Sequence, residues 1–160
     1  MIFHTSLIDQ FGYHIKKIKD LGFLVKIDTN GSNPEILRKL IDLKIIDFIA
    51  MDFKSSFENY SKATGIEGPI KKINISIDLV RGFPEHEFRT TVVPGIVNRD
   101  DLIRIAERLG PDGVLAIQQF VNRITCSPDY SEIEPYPPSF LREMVEILKS
   151  RLKKVILRGI

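Results

Sequence analysis

The sequence predicts an α/β fold, a partial, open parallel (β/α) barrel, from three observations. Apolar segments with helical spacing alternate along the chain with short β-branched segments. The strand segments are apolar on both faces, which is typical of parallel sheets covered by helices. About four or five such strands are too few to close an eight-stranded barrel. We therefore expect one partial barrel domain over residues 1–160.

Each predicted element has a local start or stop signal. The predicted helices cover residues 7–21, 34–41, 69–81 and 141–152, and a further helix begins after Asn98 with Asp100 and Asp101 in its first turn. The predicted strands are Phe23–Asp28, Asp47–Phe53, Glu87–Val93, Val114–Phe120 and Val155–Arg158. Gly22 and Gly82 follow helix ends. Ser32 is expected to cap the second helix with Glu35, and Asn98 to cap the fourth.

Composition narrows the function classes. Hydrophobic residues make up 43% and charged residues 28%, as in an ordinary globular domain. The net charge of +2 gives no support for nucleic-acid or membrane binding. A single cysteine, Cys126, forms no internal disulfide, so we expect a cytoplasmic protein. The sequence contains no glycine-rich phosphate loop, GxSxG elbow or HExxH motif.

Polar side chains gather at the predicted carboxyl ends of the strands, where ligands bind in parallel α/β folds. In strand order they are Asp28, Thr29, Asp52, Lys54, Arg89, Thr91, Gln118 and Gln119. Carboxylates on neighbouring strand ends can hold a cation, and an adjacent lysine can meet an anionic ligand group. Gln118 and Gln119 point to opposite faces, so at most one belongs to the site.

These residues also have purely structural interpretations. Asp28 and Thr29 can form the turn before the next helix, and Lys54 can simply neutralise Asp28 or Asp52. Arg89 is harder to explain in that way, because an unpaired guanidinium within an apolar strand is costly. The solvated face of the last helix is predicted to carry Lys149, Arg151, Lys153, Lys154 and Arg158.

Four segments resemble, in order, the radical S-adenosylmethionine enzymes. They are KIDTNGSNPEILRKLID, DFIAMDFKSSFENY, FRTTVVPGIV and LAIQQF. Within that family the chain is most similar to the activating enzymes of glycyl-radical proteins, such as pyruvate formate-lyase and anaerobic ribonucleotide reductase. The resemblance runs from about Leu7 to the carboxyl terminus.

The resemblance implies a (β/α)6 partial barrel with a [4Fe–4S] cluster on a CxxxCxxC motif and S-adenosylmethionine chelated to that cluster. A deoxyadenosyl radical abstracts hydrogen from a glycine of the partner, a glycyl-radical enzyme. By the same resemblance, Asp28 and Asp52 line a site for a monovalent cation and the cofactor carboxylate. Thr29 lies beside Asp28 in that comparison.

Three further roles follow from the resemblance. Lys54 would reach toward the cofactor or its methionyl end. Arg89 would face into the barrel. Val93 would pack near the adenosine.

The chain departs from the family pattern at the cluster. Its single cysteine, Cys126, is far from the expected place of the CxxxCxxC motif. Met1–Thr5 stands where a Gly-Gly-Glu-Pro segment is expected. We therefore expect an amino-terminally truncated relative that lacks the first two barrel strands, holds no cluster and is inactive alone.

An open barrel of this kind leaves Phe23–Asp28 as an exposed strand edge. Such an edge predicts a homo-oligomer or a complementing chain. Two alternative functions stay open at this point. One is a non-catalytic oligomeric binding or assembly module on the same fold. The other is an aldolase-like enzyme in which Lys54 forms a Schiff base.

Overall fold

The computed structural model describes residues 7–65, 70–123 and 128–160. Cys126 and its predicted loop lie outside the described residues. The helices are α1 (Leu7–Asp20), α2 (Pro34–Asp42), α3 (Tyr60–Thr64), α4 (Ile70–Arg81), α5 (Arg99–Leu109) and α6 (Pro138–Leu148). The strands are β1 (Lys26–Thr29), β2 (Phe48–Asp52), β3 (His86–Val92), β4 (Val114–Gln119) and β5 (Lys154–Arg158). Short 3-10 turns cover Phe57–Asn59 and Pro128–Glu132.

The strands form one sheet in chain order, β1-β2-β3-β4-β5. β1 pairs in parallel with β2, and β4 pairs in parallel with both β3 and β5. At least one helix intervenes between each strand and the next. Parallel strands in chain order with intervening helices define an open β/α arrangement. The predicted fold class is therefore confirmed.

The chain divides into two compact units, and the first comprises residues 1–51 and 71–86. Its described helices each bury one face, with apolar residues at helical spacing. The fully or almost fully buried side chains of this unit include Ile15, Leu37, Leu40, Ile49, Met51, Ile73, Ile77 and Val80. Gly31 is required after β1, because its φ is +76° and Met51 Cε lies 2.2 Å from where a Cβ would stand.

Asp47 links α1 to the segment before β1 within the first unit. Its carboxylate accepts hydrogen bonds from Lys19 Nζ at 2.6 Å and from the Val25 amide at 2.7 Å. The hydrogen bond from Lys19, followed by that from Val25, lowers the pKa of Asp47 below its ordinary 3.8. The contact fixes the end of α1 against the start of the sheet.

The second unit comprises residues 52–70 and 87–160. Its core lies where α6 packs on β4, β5 and α5. The buried apolar side chains of this unit include Phe88, Val92, Leu102, Ile105, Leu109, Leu115, Ile117, Leu141, Met144 and Leu148. The predicted cap of α5 is confirmed. Asn98 Oδ1 accepts from the Asp101 amide at 3.0 Å, and Asp101 Oδ2 accepts from the Asn98 amide at 3.0 Å.

Some predicted boundaries are wrong. The first strand begins at Lys26, three residues after the predicted Phe23. α2 is capped at Asn33 without a side-chain hydrogen bond, so Ser32 is not its cap. The Ser32 amide instead donates to Asn30 Oδ1 at 3.0 Å, because the residues after β1 form a tight polar turn.

The last helix is also shorter than predicted, since α6 ends at Leu148. Lys154 and Arg158 consequently lie on β5 and not on the solvated face of a helix. The short helix α3 was not predicted at all, because its five residues are too few to show a helical period. Within the described part of the chain, no helix combines the length and apolar character of a membrane span.

Candidate functional site

Three charged side chains meet in the second unit, where β2 ends. Asp52 Oδ2 accepts a hydrogen bond from Lys54 Nζ at 3.0 Å. Asp52 Oδ1 accepts one from Arg89 Nε at 3.0 Å, and Arg89 Nη2 also lies 3.0 Å from that oxygen. One carboxylate is therefore shared by two cations, which leaves the group with an excess positive charge. We call these three residues the strand-end cluster.

The strand-end cluster is accessible from solvent. The side chain of Lys54 is 47% exposed, that of Asp52 32% and that of Arg89 21%. Ion pairs with this much exposure are weak in water, because solvent screens them. A ligand with its own charged groups can therefore exchange partners with the cluster.

The position of Arg89 follows from the alternation of side chains along β3. Phe88, Thr90 and Val92 are buried on one face, so Arg89 points to the other. Two hydrogen bonds fix the neighbouring Phe53 backbone: its amide donates to the Arg89 carbonyl at 2.9 Å, and its carbonyl accepts from Thr90 Oγ1 at 2.7 Å. The Asp52 carboxylate supplies the partner that a guanidinium on a mostly apolar strand requires.

Tyr60, the first residue of α3, is a member of the site that the sequence did not reveal. It is only 2% exposed, and its ring lies 6.2 Å from the Phe53 ring and 6.3 Å from the Phe57 ring, between centroids. Burial, and then the Asp52 charge, raise the pKa of Tyr60 to about 12, while a hydrogen bond from the Lys54 backbone acts in the opposite direction. A neutral phenol thus lies beside the strand-end cluster.

Asp28 and Thr29 belong to the first unit. Asp28 Oδ1 lies 3.7 Å from Lys26 Nζ, and its side chain is 54% exposed. Thr29 Oγ1 accepts from the Gly31 amide at 3.0 Å, which supports the structural interpretation of Thr29 as a turn residue. The cation site shared by Asp28 and Asp52 stays a prediction. Lys54 and Arg89 each donate to one Asp52 oxygen, so a further cation there would share those oxygens with them.

Val93 and the two glutamines occupy ordinary structural positions in the second unit. The Val93 carbonyl accepts from the Val97 amide at 2.9 Å, so Val93 opens the turn after β3. Its predicted contact with adenosine stays a prediction. Gln118 lies opposite Thr91, whereas the Gln119 side chain donates to the Tyr136 carbonyl at 3.1 Å. That at most one of the two glutamines belongs to the site stays a prediction.

A second ion pair in this unit was missed by sequence reasoning. Arg158 Nη1 and Nη2 donate to Glu87 Oε1 and Oε2 at 3.0 and 2.8 Å, a bidentate pair between β5 and β3. The Glu87 side chain is 5% exposed and that of Arg158 41%. Glu87 and Arg89 are two residues apart on β3, so their side chains lie on the same face of the strand. This spacing in the sequence could have indicated a charged face.

The donor set does not fit an iron–sulfur cluster. A [4Fe–4S] cluster is held by cysteine thiolates, and the 160 residues contain one cysteine. In residues 7–65, 70–123 and 128–160, no three histidine, cysteine, aspartate or glutamate side chains converge as metal ligands. The charges of the strand-end cluster do fit a zwitterionic ligand, because they offer both cations and a carboxylate.

Comparisons with known proteins find a relative by sequence and a solved structure with the same fold. No family model matches the sequence. The chain is 34% identical over 150 residues to a Methanocaldococcus jannaschii protein provisionally named a glycyl-radical enzyme activating enzyme. That match covers 89% of this chain and 61% of the relative, so the chain spans about three fifths of the relative's length.

A solved structure shows the same fold. The crystal structure of a domain of pyruvate-formate lyase-activating enzyme from Bacteroides vulgatus matches with a TM-score of 0.69. The match covers 95% of this chain and 91% of that domain. At 14% sequence identity the likeness concerns the fold alone.

Proposed function

We propose two things about this chain, which belongs to the radical S-adenosylmethionine activating-enzyme family. The ends of its strands bind the cofactor of that family, and residues 1–160 perform no radical chemistry. The observation that supports cofactor binding is the Asp52 carboxylate, which accepts hydrogen bonds from Lys54 and Arg89 at 3.0 Å each. The partner implied by the name of the relative, a glycyl-radical enzyme, is part of the same proposal.

The methionyl end of S-adenosylmethionine carries a carboxylate and an ammonium group. The strand-end cluster offers Lys54 and Arg89 to the carboxylate and Asp52 to the ammonium. Charge-assisted hydrogen bonds of this kind are short and directional. In an active enzyme of this family, bound S-adenosylmethionine would be the radical precursor. In this chain the three residues bind and orient its charged end.

The second half of the proposal rests on the donor set. Because a single cysteine cannot supply the thiolates of a [4Fe–4S] cluster, no electron-transfer step is derived for this chain. Anaerobic reconstitution with iron and sulfide is expected to give no cluster absorbance and no reductive cleavage of S-adenosylmethionine. Cluster formation with cleavage would overturn this half of the proposal.

A thermal-shift titration tests cofactor binding. At S-adenosylmethionine ten times above the dissociation constant, linkage predicts about 1.4 kcal/mol of stabilisation, or a rise in Tm of roughly 3–6 °C for a domain of this size. Lys54→Met is expected to abolish the rise. Lys62→Met, an exposed lysine on α3, is the matched control and keeps it. A wild-type chain that shows no shift at saturating cofactor would contradict the proposal.

One observation favours the assembly module as a second candidate. In the first unit Leu21, Phe23 and Leu24 are 75%, 63% and 82% exposed, immediately before β1. Three large, exposed apolar side chains within four residues are typical of a protein interface. Light scattering is expected to give a dimer or larger assembly that Phe23→Ser and Leu24→Ser convert to monomers. A monomeric wild type would exclude this candidate.

A further inference from the structure

The carboxylate of Asp101, in the first turn of α5, is completely buried and accepts hydrogen bonds from two separate segments. Its Oδ1 accepts from Ser56 Oγ and, at 2.8 Å, from Asn59 Nδ2. Its Oδ2 accepts from the Asn98 amide at 3.0 Å. All these residues belong to the second unit. A buried carboxylate with three donors is well satisfied, and loss of any one donor is costly.

The two oxygens have different tasks. Oδ2 completes the capping box at the start of α5 by accepting from the Asn98 amide. Oδ1 is not needed for the cap. It is directed instead at residues 56–59, the segment that follows Lys54 and leads into α3.

Lys54 is therefore held from both sides. On its amino-terminal side, the Phe53 amide and carbonyl are bonded to Arg89 and Thr90 of β3 at 2.9 and 2.7 Å. On its carboxyl-terminal side, Ser55 Oγ donates to the Ile96 carbonyl at 3.3 Å, and Ser56 donates to Asp101. Ser55 and Ser56 are 0% and 1% exposed, so neither hydroxyl has bulk water as an alternative partner.

We propose that Asp101 is a positioning residue, which holds the 55–59 segment on α5 and thereby fixes Lys54 on Asp52. The functional meaning of that position rests on the proposed cofactor-binding role of Lys54. The positioning itself is a property of the folded chain, independent of any ligand.

The test separates the Oδ1 contacts of Asp101 from the side-chain cap of α5. Ser56→Ala removes a donor to Oδ1 and leaves the cap, whereas Asn98→Ala removes the side chain that accepts from the Asp101 amide and leaves both carboxylate oxygens with their donors. Each variant loses one hydrogen bond of Asp101, so the two are matched in destabilisation to within a small factor. Ser56→Thr keeps the hydroxyl and is the rescue variant.

The primary measurement is the NMR signal of Lys54 after reductive ¹³C-methylation, assigned with Lys54→Arg. Ser56→Ala is expected to move or broaden this signal, while Asn98→Ala and Ser56→Thr leave it in place. Asn59→Ala, which removes the other Oδ1 donor, is expected to act like Ser56→Ala. If Ser56→Ala does not fold, Asn59→Ala decides. A Lys54 signal that responds equally to the cap and segment variants would overturn the proposal.

The second measurement is S-adenosylmethionine affinity, which Ser56→Ala is expected to weaken about fivefold relative to Asn98→Ala, the equivalent of about one hydrogen bond. Equal affinities in the two variants would contradict the positioning role. A wild type that binds no cofactor refutes the proposed function, yet the Lys54 signal still decides whether Asp101 positions that residue.

Discussion

The raised pKa of Tyr60 predicts a loss of stability in alkaline solution that one substitution removes. A phenol with a folded pKa of about 12 and an unfolded pKa near 10.0 stabilises the fold fully below pH 10. Above pH 10 the unfolded chain ionises first, so stability falls until the pH passes 12. The difference amounts to about 1.4 kcal/mol at pH 11 and about 2.7 kcal/mol above pH 12. Tyr60→Phe keeps the ring packed on Phe53 and removes this pH dependence.

The assay is urea denaturation of the wild type and Tyr60→Phe from pH 8 to pH 12. The gap in unfolding free energy between them should change by about 1.4 kcal/mol between pH 9 and pH 11, in favour of Tyr60→Phe. Tyr13→Phe, at a ring 58% exposed, is the matched control and should follow the wild type. Parallel curves for wild type and Tyr60→Phe would refute the idea that this phenol is buried and neutral beside Asp52.

Two further predictions concern stability at neutral pH. Gly31→Ala should destabilise the fold by about 2–4 kcal/mol, because it combines a left-handed backbone with a clash against Met51. Gly22→Ala is the control, because Gly22 has φ +85° but no atom lies within 4 Å of the added Cβ; it should cost only about 1–2 kcal/mol. If thermal melts showed equal losses of stability for the two variants, the clash with Met51 would be contradicted. Glu87→Gln should cost about 1–3 kcal/mol, since it leaves the Arg158 guanidinium without its bidentate carboxylate. Urea denaturation checks this, and an unchanged midpoint would show that the pair contributes nothing.

The sequence predicts those features of the molecule that depend on local periodicity. β3 was expected at Glu87–Val93 and lies at His86–Val92, because alternation over seven residues is a strong signal. The Asn98 cap of α5 was likewise readable from residues three apart. The first strand was placed too early, since Phe23 and Leu24 have the apolar character of a strand but stay exposed. Composition alone does not distinguish these two states.

Some contacts of the candidate site can be predicted from the sequence and others cannot. The proximity of Asp52 and Arg89 can be predicted from the sequence, because both lie on strands and the ends of parallel strands meet at one edge of a sheet. The contacts of Ser56 and Asn59 with Asp101 span 45 and 42 residues and join a loop to a helix. No periodic pattern in the sequence therefore predicts them. The pair between Glu87 and Arg158 spans 71 residues. Sequence patterns define elements, whereas these contacts exist only once the elements have packed.

The position of Lys54 depends both on the sheet and on contacts between packed elements. It follows a strand end whose position the sheet register fixes, yet it lies on a segment whose path depends on buried hydroxyls and one carboxylate. Ion pairs as exposed as that between Lys54 and Asp52 contribute little by themselves, so the attraction between the two charges is too weak to hold the lysine in one position. The buried hydrogen bonds on either side of Lys54 are individually stronger and act on the backbone that carries it. The geometry of the strand-end cluster is therefore set mainly by the buried contacts around it and less by the attraction between its own charges.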